Sequence, residues 1–306
     1  MKFVTAEKHI ETKKLYIDQR FAFNVQFNRA RIRSTAAKVD AASIAKRPCF
    51  LCKENRPPEQ KSIDFQGKYE LLENPFPIFP EHLTIPTYMH IPQTIMGRFG
   101  DMLTLAKALQ EYTIFYNGPQ CGASAPDHMH FQAGSRRFMP IEEQWQERIG
   151  EHLAVEGNAR LHLMSDAPRN TLMMIAEEEK DAILLFERIA KTLSMITCAP
   201  ALKGIPSNLE GEPMLNVLTY YENGQWFTFI FPRTKHRPSC YFAEGEKQLM
   251  ISPASVDLGG VLITAREQDF QQITVSNIEQ ILREVCWQDA EINEFKHRLQ
   301  GDKVTR

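Results

Sequence analysis

Apolar positions along the chain change period several times, and the changes mark out its elements. Tyr69–Glu73 and His82–Pro86 are short apolar-rich runs on either side of Asn74, Pro75, Phe76 and Pro77, which reads as two strands around a proline-rich turn. Met102, Leu105, Ala106, Leu109 and Tyr112 then recur at helical spacing and predict an amphipathic helix over 94–112. A strand at Tyr112–Asn117, a small-residue turn over 118–125 and a second strand over 128–133 come next. Further on, Ala182, Leu185, Phe186, Ile189 and Leu193 predict a helix over 177–195. Apolar runs at 214–221 and 226–232 flank Glu222, Asn223, Gly224 and Gln225, whose Asn-Gly pair is a strong hairpin signal. A strand over 261–265 and a helix with Ser276 as N-cap complete the pattern.

Helix, strand, turn and strand thus occur twice, with little identity between the copies. This predicts an α+β fold of two related units that share one antiparallel sheet flanked by helices. The first unit is placed at 1–165 and the second at 166–306. No low-complexity linker separates them, so the halves are expected to pack together.

Charge narrows the function. Thirty-six Lys+Arg against 38 Asp+Glu leave a net charge of -2, which argues against nucleic acid as the main partner. The segment from Met1 to Lys8 is too charged for a secretory signal, and no apolar run approaches membrane-spanning length, so a cytoplasmic protein without a membrane partner is expected. Six cysteines in 306 residues do not suggest a disulfide scaffold. Cys49 and Cys52 form a Cys-x-x-Cys pair, which by itself is open between metal and redox chemistry.

The most informative stretch is 117–133, NGPQCGASAPDHMHFQA. On a strand, alternation puts His128, His130 and Gln132 on one face while Met129 and Phe131 enter a core. Gly118, Gly122, Ala123 and Ser124 let the backbone before that strand approach an anionic ligand closely.

The His128-x-His130-x-Gln132 pattern resembles the His-x-His-x-Gln signature of the transferase branch of the histidine-triad superfamily. That branch contains galactose-1-phosphate uridylyltransferase, diadenosine tetraphosphate phosphorylase and the GDP-hexose phosphorylases. The resemblance implies two histidine-triad-like units, the first of them catalytic. It implies that His130 attacks the α-phosphorus and that Gln132 donates to a non-bridging phosphoryl oxygen. Asn117 and Ser124 match family positions that hold phosphate oxygens, beside the close-approach turn at Gly122.

The same resemblance implies a structural zinc site. Cys49 and Cys52 match the family's metal-binding thiol pair, and the stretch 80–86 resembles the one carrying its third ligand, here His82. The fourth is His128, and His90 is read as structural. In the second unit, phenylalanines at 227, 229 and 231 stand where the first has histidines, so that unit is expected to supply scaffold and substrate contacts. Arg233, with Lys235, His236 and Arg237, either meets an anionic leaving group or acceptor or forms a solvated basic loop. The same choice applies to Arg31 among Arg29 and Arg33. Residues 253–270 resemble the C-terminal region of the GDP-hexose phosphorylases, but Val261 replaces a glutamate that holds sugar hydroxyls in the uridylyltransferase. The resemblance runs from about Phe27 to Phe270.

The expected activity is that of a nucleotidyltransferase or phosphorylase with ping-pong chemistry. Its donor is a nucleoside diphosphate sugar or dinucleoside polyphosphate, and its acceptor is phosphate or a sugar phosphate. A hexose-1-phosphate uridylyltransferase is the alternative within the branch, and a non-catalytic nucleotide-binding protein the alternative outside it. Base, sugar, acceptor and oligomeric state are not read from the sequence.

Overall fold

The computed structural model describes residues 10–18, 21–37, 39–196 and 212–301. The charged segment from Met1 to Lys8, weighed against a secretory signal, lies outside these.

The chain opens with β1 (Glu11–Tyr16) and β2 (Ala22–Phe27), then the short helices α1 (Ile32–Thr35) and α2 (Ala41–Ala45). Next come β3 (Ser62–Phe65), β4 (Tyr69–Glu73), β5 (His82–Pro86), α3 (Phe99–Ala108), β6 (Tyr112–Asn117) and β7 (His130–Ser135). After α4 (Ile141–Gln144), the same succession returns as β8 (Ile149–Glu156), β9 (Ala159–Met164), β10 (Leu172–Ala176), α5 (Glu179–Ser194), β11 (Leu215–Glu222) and β12 (Gln225–Pro232). The chain continues through α6 (Ser255–Leu258), β13 (Val261–Thr264), α7 (Glu267–Gln272), α8 (Val275–Val285) and α9 (Asp289–Gly301).

Sheet order makes the duplication explicit. One ten-stranded sheet runs β3-β4-β5-β7-β6-β11-β12-β10-β9-β8, so each half has the order first, second, third, fifth, fourth. The halves join through antiparallel β6 and β11, with Asn117 opposite Asn216 and Phe115 opposite Leu218. The expected α+β fold of two related units sharing an antiparallel sheet is therefore what is found. β8 and β9 stand in the sheet order where β3 and β4 stand in the first half, so the second set of five strands begins at Ile149, upstream of the expected boundary at 165/166.

Helices α3, α5 and α9 cover one face of this sheet. There Leu71, Ile85, Tyr116, Met129, Phe131, Leu185, Ile189 and Phe295 share one core. The three-stranded sheet β1-β2-β13, with α7 and α8, lies on the other face. It seals that face over the second unit, where Phe23, Val25, Leu218, Phe229, Phe231 and Ile281 share a second core. Over the first unit it leaves a pocket beside His130, while Phe79 covers the end of that face at His82 and Gly134.

Local chemistry explains the altered boundaries. Gly97, at φ +71, holds the chain non-helical before α3, so the predicted helix over 94–112 shortens to Phe99–Ala108. The N-cap of α8 is Thr274 rather than Ser276: Asn277 donates its backbone N–H to Thr274 Oγ1, and Asn277 Oδ1 accepts from the Thr274 backbone N–H at 3.0 Å. Asn223 and Gly224 both have positive φ and close the expected hairpin. Among the described residues no helix is long and apolar enough to cross a membrane.

Candidate active site and metal centre

His130 opens β7 and is almost wholly buried, while Met129 and Phe131 beside it pack into the helix-side core. Alternation thus works as expected, although His128 falls just before the strand. His130 Nδ1–H donates to the carbonyl of His128 at 2.8 Å. That bond leaves Nε2 as the unprotonated nitrogen. Burial pushes the His130 imidazole down to about 4, against the opposing pull of that carbonyl, so it is neutral near pH 7. The neutral ring is the nucleophilic form.

β6 and β7 pair as far as Phe115 and Gln132 and then diverge. The buried side chain of Gln93 spans the gap. Its Nε2 donates to the carbonyls of Asn117 and His130, both at 3.0 Å, and its Oε1 accepts the His130 backbone N–H at 2.8 Å. Sequence reasoning missed Gln93, since a lone glutamine between Pro92 and Thr94 carries no signal.

Two side-chain amides flank His130, and each has its oxygen held by protein donors. Asn117 Oδ1 accepts from the Ser255 backbone N–H at 2.9 Å and from Asn216 Nδ2 at 2.8 Å. Asn216 is itself oriented, its Nδ2 bonding the Cys121 carbonyl and its Oδ1 accepting from Arg233 Nη1 at 2.6 Å. Gln132 Oε1 accepts from His82 Nε2 at 3.1 Å. Both amides therefore keep their NH2 groups for the pocket they line.

That pocket is about 550 Å³ and brings His130, Gln132, Asn117, Gly122, Ser124 and Arg31 together. Gly122 sits at φ +97, and a Cβ there would lie 2.6 Å from that of Ala254, so only glycine fits the turn. The walls also include Phe50, Leu51, Phe76, Ser34, Ser252 and Asp257. Burial pushes the Asp257 carboxyl up to about 6, against the backbone N–H groups of Ile263 and Ala254 that bond it. Val261 is buried in β13 and does not line the pocket, whereas Asp257 does.

Arg233 requires correction as a substrate contact. Its guanidinium is fully buried and bonds the carbonyls of Val285, Pro253, Lys235 and His236 besides Asn216. It does not line the pocket, and is connected to it through Asn216 and Asn117.

The thiols gather with two histidines. Ligand atoms of Cys49, Cys52, His90 and His128 all lie within 4.8 Å of one another. His128 Nδ1 is 3.3 Å from Cys49 Sγ and 3.5 Å from Cys52 Sγ, and His90 Nδ1 is 3.2 Å from Cys52 Sγ. Ordinary zinc–sulfur and zinc–nitrogen bonds require tetrahedral edges of about 3.5 Å, so these residues fit a metal ion. His128 Nε2 donates to the Thr87 carbonyl at 2.9 Å, which turns Nδ1 towards the thiols.

The expected fourth member, His82, is not brought to the thiols; His90 stands there in its place. Register gives the reason: Pro86 of β5 lies opposite His130, whereas His82 lies opposite Gly134 at the far end of β5. Four residues of strand carry it about 13 Å away from the Pro86 end. The loop after Pro86 brings His90 back to Cys52.

A neutral, buried histidine thus stands beside two side-chain amides on a duplicated α+β sheet. The family model described as "GDPGP1-like, C-terminal domain" matches residues 143–301, more than half of the chain, and a model described as "Domain of unknown function (DUF4922)" matches residues 2–135. The chain belongs to the GDPGP1-like family.

Diadenosine 5',5'''-P1,P4-tetraphosphate phosphorylase 2 of Saccharomyces cerevisiae is 28% identical over 166 residues, 46% of this chain and half the length of that relative. The crystal structure of yeast Ap4A phosphorylase Apa2 superposes with a TM-score of 0.57 at 19% identity, covering 92% of this chain and 88% of that one. Its complex with Ap4A gives 0.54 at 19%, covering 94% and 95%. The fold is that of the transferase branch which the His-x-His-x-Gln pattern resembles.

Proposed function

We propose that this protein is a nucleotidyltransferase of the phosphorylase type, working through a nucleotide held covalently on His130. The observation that carries this reading is the His130 ring, neutral, buried and with Nε2 bare, between two amides that can only donate towards the pocket. In the first half-reaction Nε2 attacks the α-phosphorus of a nucleoside diphosphate sugar or dinucleoside polyphosphate. The nitrogen–phosphorus bond forms as the bond to the leaving phosphate oxygen breaks, and Nδ1 keeps its proton on the His128 carbonyl. In the second, an oxygen of phosphate or a sugar phosphate attacks the same phosphorus and frees Nε2.

Throughout, Gln132 and Asn117 donate to the non-bridging oxygens, where charge concentrates in transit. Arg31, Ser124 and the backbone at Gly122 hold the flanking phosphates. The phosphorylase names of the yeast relatives favour phosphate as acceptor.

Cys49, Cys52, His90 and His128 would hold zinc, with a structural role because four protein ligands leave no open position. His128 is then anchored on its ring while its carbonyl fixes the tautomer of His130.

Initial velocities with donor and phosphate varied together are expected to give the parallel lines of a ping-pong mechanism. Rapid product release in plain buffer, indifferent to added phosphate, would mark a hydrolase and reject the reading.

A further inference from the structure

With His90 among the thiols, the buried His82 has no metal to bind. The geometry points instead to His82 as a positioning residue, which holds the Gln132 amide with its NH2 group towards the pocket. This rests on the proposed role of Gln132 as donor to the transferred phosphoryl group.

A glutamine amide has a donor end and an acceptor end of nearly equal shape, and a half-turn exchanges them. In the exchanged state Oε1 would face the anionic phosphoryl oxygens and repel them. One backbone group decides the matter here. The Ile78 N–H can only donate, and it meets His82 Nδ1 at 3.2 Å. Nδ1 must then be bare, so in the neutral ring Nε2 bears the proton. The atom of Gln132 at 3.1 Å from Nε2 must be its acceptor, Oε1. The assignment of all three side-chain atoms thus descends from a single amide whose polarity is not in question.

The surroundings keep the ring in place. His82 is 1% exposed, edge-on to Phe79 with centroids 5.3 Å apart and near Phe115 at 5.7 Å. Burial, helped by the positive Arg31, pushes the imidazole down to about 3, so it stays neutral. A charged ring would turn a second N–H at Ile78 and lose that bond. Asn117 reaches the same donor-out state through Asn216 and Ser255, so the two amides beside His130 are oriented independently.

Two substitutions separate orientation from support. His82→Asn retains an acceptor near the place of Nδ1 but nothing at Nε2; His82→Gln retains an amide N–H near Nε2 but no acceptor for Ile78. If His82 positions Gln132, His82→Asn lowers kcat in both half-reactions about 10-fold with KM little changed, the worth of one well-made hydrogen bond. His82→Gln, whose own amide can turn either end to Gln132, should recover only part of that loss, with kcat between those of His82→Asn and the parent. Adding Gln132→Ala to His82→Asn should cost nothing beyond Gln132→Ala alone, because there is no amide left to orient.

Losses that multiply in the double variant, or parent-like kcat in His82→Asn while Gln132→Ala is impaired, would overturn the inference. A Gln132→Ala enzyme with parent rates would reject the donor role itself. Nitrogen-15 NMR of the parent reads the tautomer without any variant: Nε2 protonated and Nδ1 bare at His82 is expected, and the reverse tautomer contradicts it.

Discussion

The two units present the same face of one sheet to different surroundings. In the first, Gln132 lies opposite Phe115, and with His130 and Asn117 it lines an open pocket. In the second, Phe229 lies opposite Leu218, Phe231 opposite Asn216, and the sheet β1-β2-β13 with α7 and α8 closes over them. Duplication supplied two equivalent surfaces. Polar residues on one made a site, and apolar residues on the other made the core that supports it. Asn216 and Arg233 connect the two: they belong to the second unit but orient Asn117 in the first.

Removing a thiol of the Cys-His cluster should blur this contrast most. Cys49→Ser is expected to lower metal content and melting temperature together and to reduce turnover by ~100-fold, since the proposed metal would anchor His128, whose carbonyl orients His130. Metal analysis beside thermal melts would check it; a metal-free parent with unchanged stability would leave the four residues without that role.

Matched substitutions on the two fifth strands come next. Gln132→Ala should slow both half-reactions about 100-fold with little change in melting temperature, because it removes a donor used in the transition state. Phe229→Leu should do the opposite, costing about 1 kcal/mol of stability while kcat stays within about 2-fold. Equal kinetic effects from both would erase the distinction between site and support.

The smallest effect is on pH. Burial depresses His82 to about 3 and His130 to about 4, below the value of about 6.5 expected in the unfolded chain. The unfolded state therefore binds more protons in this window. The stabilisation is complete above about pH 6.5, declines as pH falls towards 4 to 3, and levels off below. Chemical denaturation at stepped pH should show that slope, reduced in His82→Asn.

Much of this fold was legible. The strands Tyr69–Glu73, His82–Pro86 and Tyr112–Asn117 have the bounds that the apolar pattern predicted, because each is bounded by a turn or a helix. β8 was not legible: it is an edge strand, largely exposed, with register shifts between Ile149 and Ala154 that break any period of two. Of the site, His130, Gln132, Asn117, Gly122, Ser124 and Arg31 do converge. Pattern alone could not choose between His82 and His90, since the choice depends on which end of β5 meets His128. Nor could it separate Arg233 from a surface cation, because its partners are four backbone carbonyls from three segments, at 235–236, 253 and 285.

The central claim is the covalent role of His130. Intact mass spectrometry after brief incubation with a panel of nucleoside diphosphate sugars and dinucleoside polyphosphates, without acceptor, tests it directly. The expected result is one added nucleotide monophosphate per chain, discharged by phosphate, and no adduct on a folded His130→Ala protein. An adduct that persists in that variant, or turnover near the parent rate without His130, would contradict it.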